Sequence, residues 1–202
     1  MKKTKLQMLF LFVALTSFGY AQKIVVVKGN CSFLKDVKNI NVEYDYSDMA
    51  VGKFDKEADY VKQKVDENNE KEAGKGDKWK ASWEGSRQRV YAPKFEELFN
   101  KTLAKTGQNI GQEREDAKYT LIVKTTFTEP GFNIGIVKQS AAVSFEYIFV
   151  ETGTDNVIAK FTQAKVPGAQ AMGYDFDGST RISESYAKGG KMLAGYIYKQ
   201  VK

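Results

Sequence analysis

The sequence predicts an α/β or α+β domain: one mostly antiparallel or mixed sheet of about five strands with helices packed on it, in the order β-β-α-α-β-β-β-α. Three observations lead there. Period-two alternation marks "NINVEYDY" and two longer runs in the second half of the chain. Helical stripes fill the stretch from Phe54 to Leu103 and the C-terminal end. Glycine-bearing turns separate these segments.

The chain opens "MKKTKLQMLFLFVALTSFGYAQK", which is expected to precede the domain rather than join it. Lys2, Lys3 and Lys5 form a basic head, Met8 to Val13 begin an apolar run, and Gly19 and Ala21 are the small residues a signal peptidase reads. The run is shorter than a bilayer requires, and Thr16 and Ser17 interrupt its end. The expectation is a signal peptide over residues 1–21, cleaved between Ala21 and Gln22, and a single α/β-type domain over 22–202, exported to the periplasm or beyond. An uncleaved N-terminal anchor is the alternative. No later segment has the length and apolarity of a transmembrane helix.

In the domain, "KIVVVKG" (Lys23 to Gly29) reads as a strand buried on both faces. "NINVEYDY" sets Ile40, Val42, Tyr44 and Tyr46 on one face. Phe54, Ala58, Val61 and Val65 then fall at helical spacing, with Asp55 placed to cap and "AGKGD" to end the helix. A second helix, capped by Asp77, carries Trp79, Trp83 and Val90 on one side. Phe95, Leu98, Phe99 and Leu103 lie on another, which predicts a kink or break at Ala92–Pro93 and a stop at Gly107. "KYTLIVKTTFT" groups Tyr119, Leu121, Val123 and Phe127, "AAVSFEYIFVET" groups Val143, Phe145, Tyr147 and Phe149, and "NVIAKFTQA" completes a meander after the turn "TGTD". The last helix starts near Thr180 and buries Ile182, Tyr186, Leu193, Ile197 and Val201. Gly189 and Gly190 within it imply a close approach to the sheet.

Composition narrows the chemistry. There is no histidine, which removes the commonest general base and metal ligand, and the single cysteine leaves no partner for an intrachain disulfide. Cys31 reads as a small buried apolar residue. No phosphate-loop or dinucleotide fingerprint occurs, so no cofactor and no metal is expected. Losing residues 1–21 lowers the formal charge from +6 to +3, and the charges are interleaved, as in "DKEADYVKQKVDENNEKE"; a nucleic-acid partner is not expected. Asp175 and Asp177 in "YDFDGST" lack the full calcium-loop pattern, and Asp177 or Ser179 reads more simply as the cap of the last helix. Glu43, Asp45 and Asp48 are the acids from which a hydrolase pair would have to come.

Two surfaces remain. In "GKGDKWKASWEGSRQRVYAPKF", Trp79, Trp83 and Arg87 either form an exposed aromatic ledge for a sugar or other flat ligand, or cover the sheet or first helix with Arg87 as the polar rim. "TEPGFNIGIVKQSA" separates two strands by more residues than a hairpin needs. Its Phe132, Ile134, Ile136 and Val137 either contact another protein or a membrane surface, or fold back on the core.

"VEYDYSDMAVGKF", the tryptophan-bearing stretch and "STRISESYAKGGKMLAGYI" resemble a family of secreted proteins from Gram-negative bacteria, and that resemblance brings no activity with it. More distantly, the layout resembles the periplasmic α/β domains of curli-secretion lipoproteins, penicillin-binding-protein-activator lipoproteins and the amino-terminal domain of TolB. The resemblance implies partner binding or assembly rather than catalysis. The chain departs from those lipoproteins in lacking a lipobox cysteine, since "KGN" precedes Cys31. The expected function is therefore a non-catalytic secreted or periplasmic cell-envelope protein that binds or assembles with an envelope protein or membrane-surface partner. Carbohydrate or small-ligand binding on the aromatic ledge is the alternative, and a carboxylate hydrolase comes third.

Overall fold

The computed structural model describes residues 23–114, 116–134, 137–170 and 178–202. The cleavage pair Ala21 and Gln22 lies outside the described residues, as do Ile136, Asp175 and Asp177. Nine strands appear among those described: β1 (Val25–Lys28), β2 (Asn39–Asp45), β3 (Ala50–Val51), β4 (Asn109–Gly111), β5 (Tyr119–Glu129), β6 (Phe132–Ile134), β7 (Val137–Gln139), β8 (Ala142–Glu151) and β9 (Val157–Pro167). The helices are α1 (Glu57–Asn69), α2 (Lys75–Ser86), α3 (Ala92–Leu103) and α4 (Gly178–Val201).

Seven strands make one open mixed sheet in the order β1-β9-β8-β5-β2-β4, with β3 also paired to β5. β5, β8 and β9 form the antiparallel meander read from sequence alternation. β2 runs parallel to β5 and β4. A parallel pair needs a long crossover, and the segment from α1 through α3 supplies it. The sheet is larger than the expected five strands because β3 and β4 are too short to show an alternating pattern.

The alternation of β8 places Val143, Phe145, Tyr147 and Phe149 on the core face, where they meet Leu121, Val123 and Phe161. Phe95, Phe99 and Leu103 of α3, with Ile182, Tyr186, Leu193 and Ile197 of α4, close over them. The opposite face carries half-buried polar residues such as the Lys160–Glu146 ion pair at 2.9 Å. Gly189 is required by packing, because a Cβ there would stand 2.9 Å from both the Phe145 ring and the Tyr147 hydroxyl.

Several expectations are corrected. β1 is not buried on both faces: Val25, Val26 and Val27 are 56%, 50% and 56% exposed. It lies at the rim of the sheet against β9 alone, while α3 and α4 cover strands further in. Phe127 leaves the core face, because the register between β5 and β8 shifts between Thr125 and Phe127 and Thr128 turns inward instead. No break occurs at Ala92–Pro93. Arg87–Tyr91 form a π-helical turn in which the Ala92 N–H donates to the Arg87 carbonyl five residues back. The wider turn accommodates Pro93, which has no N–H to donate, and its extra residue rotates the following face by about 100°. Phe95 and Phe99 thus reach the sheet while Trp79 and Trp83 turn to α1.

The expected caps differ as well. α1 starts after Lys56 in extended backbone, with Asp55 making no cap hydrogen bond, and α2 starts after left-handed Gly74, which puts Asp77 inside the first turn. Ser179 likewise lies within α4.

Candidate functional site

α1 and α2 form a tight helical hairpin beside the sheet. Gly76 allows it, since a Cβ there would sit 2.3 Å from the Val65 carbonyl, and the Gly76 N–H donates to Asn69 Oδ1 at 2.7 Å. The tryptophans, four residues apart on α2, stack with ring centroids 5.7 Å apart and 17° between planes. Tyr60 of α1 meets both indoles, 5.8 Å from Trp79 and 5.3 Å from Trp83. Burial pushes its hydroxyl up to about 12. Both indoles are half-buried, so they cover α1 while keeping one side open.

Glu57, at the start of α1, sets the orientation. It accepts a hydrogen bond from Trp83 Nε1 at 2.5 Å and a charge-assisted pair from the Arg87 guanidinium. The same guanidinium lies 4.4 Å over the Tyr46 ring. Arg87 is thus engaged by Glu57 and Tyr46 and is not among the described residues that line the neighbouring groove.

That groove measures about 860 Å³ and runs between the α1–α2 hairpin, the start of α4 and the end of β5. Trp79, Trp83 and Tyr60 form its aromatic wall, with Tyr91 between them and the core. Tyr91 stacks on Tyr186 at 4.9 Å, and Tyr186 shares a 2.7 Å hydrogen bond with Thr125, so the wall rests on rigid core. Pro130 and Gly131 line the opposite side, where Arg181 donates from Nε to the Pro130 carbonyl at 3.3 Å. Lys64, Lys71, Lys75 and Lys78 also face the groove, with Glu67 as its one carboxylate among the described residues.

Beyond Gly131 the chain continues into the β6–β7 hairpin, paired Phe132 to Gln139 and Ile134 to Val137. Gly131 turns left-handed, φ 70°, where a side chain would strike the Gln139 carbonyl at 2.6 Å. Phe132 and Val137 are 40% and 54% exposed, so they do not fold back on the core.

The remaining sequence candidates lie elsewhere. Asp45 and Asp48 hold Lys124 at 3.5 and 2.5 Å. Burial opposes the ionised Asp45, yet hydrogen bonds from Ser47 and the Lys124 charge outweigh it and hold that carboxyl below its ordinary range. Glu43 accepts from Asn41 at 3.1 Å. Cys31 is wholly buried, and desolvation pushes its thiol up to about 12. Among the described residues no cluster of acids or cysteine is placed to hold a metal ion, and no helix is long and apolar enough to cross a membrane. Sequence reasoning missed Tyr60 and the groove lysines. The lysines were dispersed, Lys64 and Lys71 in the interleaved charge of α1 and the turn after it and Lys75 and Lys78 at the start of α2, and only the packing of α1 against α2 assembles them.

Fold and site together define an open-sheet α/β protein with a basic, aromatic-walled groove beside the sheet. No protein-family model and no curated protein sequence matches the chain. Among solved structures it is similar to the PelC dodecamer from Paraburkholderia phytofirmans, at 10% identity over 86% of this chain and 97% of that one, TM-score 0.38. A second PelC dodecamer from that organism matches at 12% identity over 85% and 98%, TM-score 0.36. A neuraminyllactose-binding hemagglutinin homolog from Helicobacter pylori matches at 11% identity over 87% and 88%, TM-score 0.34.

Proposed function

We propose that this is an exported cell-envelope protein that binds a protein partner through the β6–β7 arm and catalyses no reaction. The observation that carries the reading is the pair of large apolar side chains, Phe132 and Val137, held in solvent at the two ends of a short hairpin. Apolar side chains displayed on a projecting connection, with a packed sheet to hold its base, are the usual anatomy of a contact surface. The leader-like start and the resemblance to secreted Gram-negative proteins support the envelope as the place where the partner is met.

A photo-crosslinking amino acid placed at Val137, in cells, tests this. A discrete adduct is expected, absent when the same probe stands at exposed Lys62 on α1 and lost when Phe132→Ser is added. Both Phe132 and Lys62 are exposed, so these changes should move stability by no more than about 0.5 kcal/mol. Equal adducts at Lys62, or none at Val137, would sink the arm as a docking surface. Mass spectrometry of the chain from the envelope fraction should find Gln22 at its amino terminus; an intact chain confined to the cytoplasm would remove the export part.

A further inference from the structure

We infer that the groove beside Trp79 and Trp83 binds an acidic oligosaccharide, a short chain of sugar rings carrying carboxylates. The inference concerns a different surface from the arm and holds whether or not the arm binds a protein. Its volume, about 860 Å³, is that of a small-ligand site rather than a surface dimple.

The wall argues for rings. Two stacked indoles and the Tyr60 ring offer broad apolar surface with one side open, fixed from behind by Glu57 on the Trp83 N–H and by the Tyr91–Tyr186 stack. The C–H face of a sugar packs on such a surface, and an aromatic wall locked in place loses little entropy when it binds.

The rim argues for negative charge. Among the described residues five cationic side chains and one carboxylate line the groove. Glu67 is already taken by Lys64 at 3.0 Å, and Lys75 reaches Glu72 only at 3.8 Å. Lys71 and Lys78 make no ion pair among the described residues. Across from them lies Arg181, 7% exposed, whose Nε donates to the Pro130 carbonyl. These cations stand on α1, on the turn after it, on α2 and on α4, spread along the groove instead of converging on one point. Spread cations fit charges repeated along a chain better than one compact phosphate. The Ser82 hydroxyl and the Asn68 amide between them suit ring hydroxyls.

The test titrates the purified protein with tri-galacturonic acid, following tryptophan emission and heat. The methyl-ester trisaccharide serves as neutral twin and ATP as a flat aromatic anion. Saturable binding of the acid is expected, about tenfold weaker for the ester and about tenfold weaker when salt rises to about 0.5 M. Trp79→Ala should weaken it at least about tenfold, and so should Lys71→Glu with Lys78→Glu, two exposed changes that leave the thermal melt in place. Four results would overturn the inference: no saturable binding of the acid, equal binding of the ester, undiminished binding by the folded Trp79→Ala or lysine variant, or tighter binding of ATP.

Discussion

Glu57 on α1 and Glu96 on α3 are two carboxylates in opposite surroundings. Glu57 meets a full guanidinium and an indole N–H, and its two oxygens fix how α2 presents its tryptophans. Glu96 on α3 has only neutral donors, Tyr44 Oη at 3.2 Å and Gln112 Nε2 at 2.9 Å. Burial nonetheless dominates, and the Glu96 carboxyl is held above its ordinary range despite those hydrogen bonds and the opposing charge of Arg114. A carboxyl raised in the folded state favours folding most when protonated, and that benefit disappears as pH rises through the raised value. Glu96→Gln keeps the accepting oxygen and removes the charge. The variant is expected to melt higher than wild type near neutral pH, with the gap closing as pH falls through the carboxylate range. A gap that stays constant with pH would show that Glu96 is not desolvated.

At the scale of elements, α2 and α3 behave as one helix with a π-turn in place of a break. The sequence showed the conflict plainly: two apolar faces that a straight helix cannot turn to one surface, and Pro93 between them. It did not show the remedy, because a kink and an inserted residue both resolve such a conflict locally. Packing against α4 decides, and the decisive contact is Gly190, where an added Cβ would stand 2.3 Å from the Phe95 carbonyl. Gly190→Ala is expected to cost about 2–3 kcal/mol in chemical denaturation, by forcing α3 and α4 apart. Gly195→Ala, five residues on with nothing within 4 Å of its added Cβ, should instead stabilise by up to about 1 kcal/mol through helix propensity. Equal effects at the two positions would mean that the helices do not approach as described.

Over the whole molecule the sheet is open, and its two rims differ. β4 at one rim is three residues long, but β1 at the other displays three exposed valines, and among the described residues nothing pairs with its outer edge. An apolar strand edge is a template for association between chains, moderated here only by Lys23 and Lys28 beside it. Val25→Lys should lower concentration-dependent association in light scattering while changing the melt by no more than about 0.5 kcal/mol. Association unchanged by the substitution would place the sticky surface elsewhere.

The alternation of β5, β8 and β9 and the stripe of α4 could be read directly, since every second or every third-to-fourth residue there is apolar and one face is buried. The burial of Cys31 was also foreseeable, since a lone cysteine with no disulfide partner behaves as a small apolar residue. What needed the tertiary structure were the features set by contacts between distant segments. Three valines in a row carry the same local signal at the middle of a sheet as at its rim, and only strand order separates the two. The bulge that turns Phe127 outward depends on the register of a partner strand. The groove required α1 to cross α2 and the start of α4 to face them, so that Tyr60, Trp79, Lys71 and Arg181, scattered over some 120 positions of chain, line one space. Periodicity records which side of an element is buried; which elements meet is settled by their packing.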